Sequence, residues 1–144
     1  MCGWRPWRIN SNRKVVIKIM DNCMVVGAGI MGSAIAYEVA KAGYKVALVD
    51  KNLEQLDKSK KTIADLAGKE ASKNIIDGAK QEFILNNIIF FGKLQEFKPD
   101  IIIEAIFEDV DVKKGVLREL DLRYGEEPII SSNTSVISIT ELAN

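Results

Sequence analysis

Gly27, Gly29 and Gly32 stand in the pattern G-x-G-x-x-G, entered from the apolar run Met24-Val25-Val26 and left through a helical pattern. A pyrophosphate-binding turn for a dinucleotide is assembled in this way. Gly27 can adopt the dihedrals of a tight strand-to-helix turn because it has no Cβ to clash. Gly29 lets the backbone approach a pyrophosphate closely, and Gly32 lets the helix pack close to the strand. The helix start at Ile30 and Met31 offers unpaired N–H groups and a partial positive charge to the phosphates. Asp50 ends the next β-type run, Tyr44-Lys45-Val46-Ala47-Leu48-Val49. An acid there accepts from both hydroxyls of an adenosine ribose and repels the extra phosphate of NADP, so NAD is the expected cofactor. Lys51 beside it tempers that preference without reversing it.

Two further polar clusters follow strand-like runs, Glu104 to Lys113 and Ser131 to Ser135. The sequence has no histidine, the usual acid–base residue near neutral pH, so proton chemistry here needs another group or another source.

The elements that must position these groups can be read in order. After the glycine turn, Ile35, Val39 and Ala42 recur at helical spacing, with Gly43 placed to end the helix. Residues 52–67 place Leu53, Leu56, Ile63 and Leu66 on one helical face. Gly68 interrupts that pattern, and a second helix is expected from about Lys69 to Phe83. Ile88-Ile89-Phe90-Phe91 and Ile101-Ile102-Ile103-Glu104-Ala105-Ile106 are almost continuously apolar, as strands buried on both faces are. Val112–Tyr124 reads as a helix closed by Gly125. Pro128-Ile129-Ile130 begins a last strand, and Ser131–Ser135 is expected as a polar loop at its end. Ser138 and Glu141 have capping-box spacing, with Ile137 and Leu142 as the hydrophobic staple of a final helix. The order β-α-β-α-α-β-β-α-β-α predicts a doubly wound, mostly parallel α/β sheet with helices on both faces. Ligands of such a sheet bind beyond the C-terminal strand ends, where all three polar clusters fall.

The 144 residues suit one domain with a sizeable core, and 47% hydrophobic with 28% charged residues describes a soluble globular chain. Twenty basic and twenty acidic residues balance, which argues against a nucleic-acid grip and favours self-association. Cys2 and Cys23 have no metal-type spacing and build no disulfide framework, as fits a reducing cytoplasm. No apolar run approaches membrane-spanning length. Residues 1–14 carry Arg5, Arg8, Arg13 and Lys14 without an acid. Such a bias suits a transit segment, but Gly3 and Pro6 oppose the amphipathic helix one would need. A disordered or incidental leader is therefore expected, with the cofactor domain at 15–144. Val15–Met20 is a further β-type run that either forms a hairpin through Asp21-Asn22 or extends irregularly into the first core strand. The lysines of the central helices (Lys58, Lys60, Lys61, Lys69, Lys73 and Lys80) read either as a solvated face or as a basic surface for the phosphates of a large acidic substrate.

Several segments together resemble one family. Val25-Val26-Gly27-Ala28-Gly29-Ile30-Met31-Gly32-Ser33, Ile103-Glu104-Ala105-Ile106-Phe107-Glu108-Asp109, Val112-Lys113-Lys114, Ser132-Asn133-Thr134-Ser135 and Ser138-Ile139-Thr140-Glu141-Leu142-Ala143 are similar to the NAD-binding domain of L-3-hydroxyacyl-CoA dehydrogenases. The resemblance implies a Rossmann-like domain that binds NAD and an acyl-CoA and takes part in the reversible oxidation of an L-3-hydroxyacyl-CoA to the 3-ketoacyl-CoA. By the same resemblance Glu108 and Lys113 contact the nicotinamide side of the cofactor. Ser135 bonds the substrate oxygen and helps place the nicotinamide, and Asn133 steadies the loop. Plainer roles exist for each: a surface ion pair for Glu108 and Lys113, and satisfaction of loop backbone groups for Asn133 and Ser135.

The chain also departs from the family. The general base of the family is a histidine in a His-Phe-Phe-Asn-Pro segment, oriented by a glutamate, and neither is present. Nor is the helical C-terminal domain that supplies the dimer interface and closes over the acyl-CoA. The expectation is a cofactor-binding part cut before that domain, inactive alone, and a homodimer only with it. The competing readings are a β-hydroxyacid dehydrogenase domain that does not use CoA, and a non-enzymatic NAD-binding module.

Overall fold

The computed structural model describes residues 20–94 and 97–143. These residues form five strands and five helices in the order β1 (Asn22–Val26), α1 (Ile30–Lys41), β2 (Lys45–Val49), α2 (Leu53–Ser72), α3 (Gly78–Asn86), β3 (Ile88–Phe91), β4 (Ile101–Glu104), α4 (Val110–Tyr124), β5 (Ile129–Ser132) and α5 (Ile139–Ala143). All neighbours pair in parallel, in the order β3-β2-β1-β4-β5. The doubly wound expectation is met. The leader and the Val15–Ile19 part of the extra β-type run lie outside the described residues.

Side chains alternate across each strand and feed two separate cores. Cys23 and Val25 of β1 pack with Ala36, Tyr37, Leu56, Ile63 and Ile84 beneath α1, α2 and α3. Met24 and Val26 point the other way, to Ile102 and Leu120 and the half-buried Val116 of α4. With both faces covered, β1 and β2 can afford no polar residue beyond their first positions, which explains their unbroken apolar runs.

Register aligns the strand ends. Phe91 pairs with Val49, Val49 with Val26, Val26 with Glu104, and Glu104 with Ser132. All five strands therefore stop in one row. The chain runs from β1 outward to β3, then crosses to the other side for β4 and β5, so loops from β1 and β4 diverge and leave a crevice between them.

Three boundaries differ from the sequence reading. The helix does not stop at Gly68: α2 runs unbroken to Ser72. A mid-helix glycine costs only about 1 kcal/mol relative to alanine, and the buried Ile63 and Ala67 hold that stretch against the core. The break comes at Asn74, which takes a left-handed φ of 55°, and Asp77 then restarts the helix by accepting the Lys80 N–H. Asp109 caps α4 by accepting the Val112 N–H, so that helix begins at Val110. β5 continues through Ser131 and Ser132, because their backbones still pair with Ile103 and Glu104 although their side chains are polar.

One polar clasp joins α1 to α2. Tyr37 Oη donates to Glu70 Oε2 at 2.8 Å, and Lys41 Nζ lies 2.7 Å from the same carboxylate. The hydrogen bonds from Lys41 and then Tyr37 hold Glu70 below its ordinary pKa, and the Glu70 bond holds Lys41 above its own. The stabilisation is therefore complete between the carboxylate and lysine ranges, and is lost as acid protonates Glu70 or base neutralises Lys41. A Glu70→Gln variant should melt at a lower temperature than the parent at neutral pH, with the difference closing in acid; thermal melts across pH check this.

Candidate functional site

The glycine turn is shaped by what it excludes. Gly27 has φ 108°, and a Cβ there would stand 2.6 Å from Ala105 O. A Cβ on Gly32 would stand 1.7 Å from Gly27 O, so the last glycine is required chiefly by the carbonyl of the turn itself. Gly29 is different. Its φ of −68° is ordinary, and a Cβ there would meet no protein atom within 4 Å. The backbone at Gly29 thus faces open space, in which a side chain would occupy the position of a ligand. That cradle fits a pyrophosphate. Gly29 also serves as the N-cap of α1 and has no side chain to bond the first N–H groups, so those near Ile30 and Met31 point outward unclaimed by a cap.

Buried and half-buried polar side chains fix the turn from behind. Gln55 Nε2 donates to Ala28 O at 2.8 Å. Ser33 Oγ lies 2.7 Å from Gly29 O, and it is also 2.7 Å from Ser59 Oγ. Ser33, Ser59 and Gln55 were not identified from the sequence. Ser33 and Ser59 leave a faint signal, a small polar residue beside apolar helical positions such as Ala36, Tyr37, Leu56 and Ile63, and Gln55 leaves none.

Asp50 is placed by both carboxylate oxygens. Oδ2 accepts the Ala28 N–H at 2.9 Å, and Oδ1 accepts the Asn52 N–H at 2.9 Å. The acid is thereby locked to the glycine turn, while the remaining lone pairs of its two oxygens stay available. It lines a cleft of about 470 Å³ together with Gly27, Gly29, Ile106, Phe107 and Val116. An acid at the end of β2, phosphate-binding N–H groups at the end of β1 and largely apolar walls are the donor set a dinucleotide requires.

The β4 and β5 ends form the other half of the row. Glu104 and Lys113 are fully buried and joined at 2.7 Å. Glu104 Oε1 also accepts the Ile106 N–H at 2.7 Å, and Oε2 accepts a short hydrogen bond from Ser132 Oγ. Lys113 Nζ donates further to Ile106 O at 3.2 Å. The surface Glu108–Lys113 pair considered from the sequence does not form: Lys113 lies beneath the loop, against Glu104. Glu108 instead accepts from Thr134 Oγ1 at 2.9 Å and from the Ser135 N–H at 3.2 Å. Asn133 donates its backbone N–H to Glu104 O at 2.7 Å. Asn133 and Ser135 are exposed, at the rim with Glu108. Among the described residues no group of histidine, cysteine, aspartate or glutamate could hold a metal ion.

Two glycine substitutions should separate binding from folding. Gly29→Val should cost about 1 kcal/mol of stability or less, since the backbone accommodates it, yet weaken NADH binding at least tenfold. Gly32→Ala should cost about 3 kcal/mol or more, because the Cβ meets a backbone oxygen that cannot yield cheaply. Denaturant unfolding and NADH fluorescence titration, run on both variants, check the pair.

A family model described as "3-hydroxyacyl-CoA dehydrogenase, NAD binding domain" matches residues 22–144. The fatty acid oxidation complex subunit alpha of Psychrobacter cryohalolentis is 39% identical over 127 residues, covering 86% of this chain and 17% of that protein. The (S)-3-hydroxybutyryl-CoA dehydrogenase of Ralstonia eutropha has a TM-score of 0.83 at 36% identity, over 87% of this chain and 44% of that one. The 3-hydroxybutyryl-CoA dehydrogenase of Escherichia coli K12 also superposes with a TM-score of 0.83, at 28% identity, over 88% of this chain and 27% of that one. The chain thus spans less than half the length of these relatives. It carries the glycine turn, the β2 acid and the Glu104 and Ser132–Ser135 segments in one row of strand ends, and it belongs to the 3-hydroxyacyl-CoA dehydrogenase family as its NAD-binding domain.

Proposed function

We propose that these residues form the cofactor-binding part of an oxidoreductase that interconverts L-3-hydroxyacyl-CoA and 3-ketoacyl-CoA. The observation that carries this reading is the common row of strand ends, which brings three polar clusters distant in sequence to one crevice. Gly27, Gly29, Ile30, Met31 and Gly32 receive the pyrophosphate through backbone N–H groups. Asp50 receives the adenosine ribose and disfavours a 2′-phosphate. The other half of the dinucleotide then lies toward β4 and β5, beside Glu108 and Ser135. Ser135 offers a hydroxyl to the substrate oxygen, with Asn133 beside it. Lys113 contributes from beneath, as the counter-charge of Glu104. NAD, when bound, supplies the hydride acceptor for the alcohol or, reduced, the donor for the ketone.

Removing the hydroxyl proton of the alcohol needs a base, and no histidine is present in the sequence. The 144 residues alone therefore bind cofactor without efficient turnover. The acyl-CoA is the substrate partner, and a homodimer is expected only together with the helical C-terminal domain that the family resemblance implies. Equal numbers of acidic and basic residues give no net charge to attract nucleic acid. Among the described residues no helix is long and apolar enough to cross a membrane. A cytoplasmic location agrees with the buried Cys23, whose thiol is pushed up to about 11 by desolvation and is inert.

Binding titrations test the cofactor assignment. The parent should bind NADH more tightly than NADPH. Asp50→Ala should weaken NADH binding and narrow that gap, and unchanged NADH affinity would remove Asp50 from the site. With acetoacetyl-CoA and NADH the parent chain should show no sustained turnover; robust NADH oxidation would overturn its inactivity alone.

A further inference from the structure

Four consecutive residues at the end of β5 are held by two glutamates of the β4–α4 segment. Glu104 takes the Ser132 hydroxyl through Oε2 and the Asn133 N–H through its backbone oxygen. Glu108 takes the Thr134 hydroxyl and the Ser135 N–H. The two acids differ in character. Glu108 is exposed, and its two oxygens are taken by Thr134 and Ser135 at the surface. Glu104 is fully buried, with Lys113 and the Ile106 N–H on its other oxygen, so its carboxylate cannot reorient without stranding a buried ammonium. The buried acid therefore sets where the loop begins, and the exposed one holds its far end.

We propose that Glu104 is a positioning residue for the nicotinamide half of the cofactor site, acting through Ser132 on the Asn133–Ser135 loop. The inference rests on the cofactor reading above. Asp50 fixes the adenosine side at β2, and the pyrophosphate turn stands at β1, so only the half of the dinucleotide beyond the pyrophosphate can reach β4 and β5. A displaced β5 loop should then be felt by a ligand that carries nicotinamide and not by one that ends before it. Glu104 itself touches no ligand in this arrangement, since its side chain is spent on Lys113, Ile106 and Ser132. None of these roles shows in its position in the sequence, where it is simply the first acid after an apolar run.

The test compares NADH with ADP-ribose, which keeps the adenosine and both phosphates but lacks the nicotinamide. Both ligands are titrated against the 144-residue parent, Glu104→Gln, Ser132→Ala and Ser132→Thr, with thermal melts alongside. Ser132→Ala removes one hydroxyl at the half-buried strand end and keeps the Glu104–Lys113 pair, so it remains informative if Glu104→Gln fails to fold. The expected result is NADH affinity about fivefold or more weaker in Ser132→Ala, with ADP-ribose unchanged within about twofold, and recovery in Ser132→Thr, which keeps the hydroxyl. Equal losses for both ligands would mean a merely structural role and overturn the proposal. So would NADH affinity that does not change in Ser132→Ala. A parent that binds neither ligand would overturn the cofactor reading itself, and the positioning role with it.

Discussion

A parallel sheet that changes direction after its central strand has one place that its own elements cannot fill. Here that place lies between the ends of β1 and β4, and the polar groups of the candidate site are arranged around it. The constraint is severe because both sheet faces are covered. Along the central strands β1 and β2 no polar residue follows the first position, so the polar groups gather where the strands end. The site is therefore a row of residues at the strand ends, and its order across the row (Asp50, the glycine turn, Glu104, Ser132) follows from the strand order and not from the order along the chain. Among the described residues buried charge is admitted at one point. The pairing of Glu104 with Lys113 places an ion pair at the edge of an apolar layer, where extra hydrogen bonds to Ile106 and Ser132 offset the cost of desolvation.

The parts legible in the sequence are those in which one residue type serves one geometry. Gly27 and Gly43 take the positive φ that their positions beside a strand and a helix end require. Asp50 could be read because the acid must follow a β-type run at a set distance from the turn. The alternation of elements predicted the doubly wound sheet, since apolar strand runs and 3.6-residue helical spacing are both local. Even the final helix was visible, from the relation of Ser138 to Glu141.

What escaped was decided by tertiary contact. Gly68 looked like a stop, but a local preference of this size is outweighed by the packing of Ile63 and Ala67. Ser131 and Ser132 looked like loop, but backbone pairing with β4 does not depend on side-chain polarity. Lys113 was considered in a surface pair with Glu108, because charged residues are rarely fully buried, and the structure pairs it with Glu104 instead. Their partnership spans two elements, with a third contributing Ser132, and no single-residue property announces it. Gln55 and Ser33 were missed for the same reason: what they support is the far side of a turn that the sequence shows only from its glycines.

The N-terminus of α1 has a consequence of its own. α2, α3 and α4 each begin with a side chain, Asn52, Asp77 or Asp109, that accepts one of the otherwise unpaired N–H groups. α1 begins with a glycine that accepts none. Of these four helices α1, whose N-terminus opens on the crevice, is the one left unfinished, and an anion seated there would complete it as asparagine and aspartate complete the other three. Binding and folding are then coupled by mass action: cofactor concentration becomes a determinant of how firmly the first β-α unit holds, and a cell that depletes its dinucleotide pool also loosens the domain that reads it.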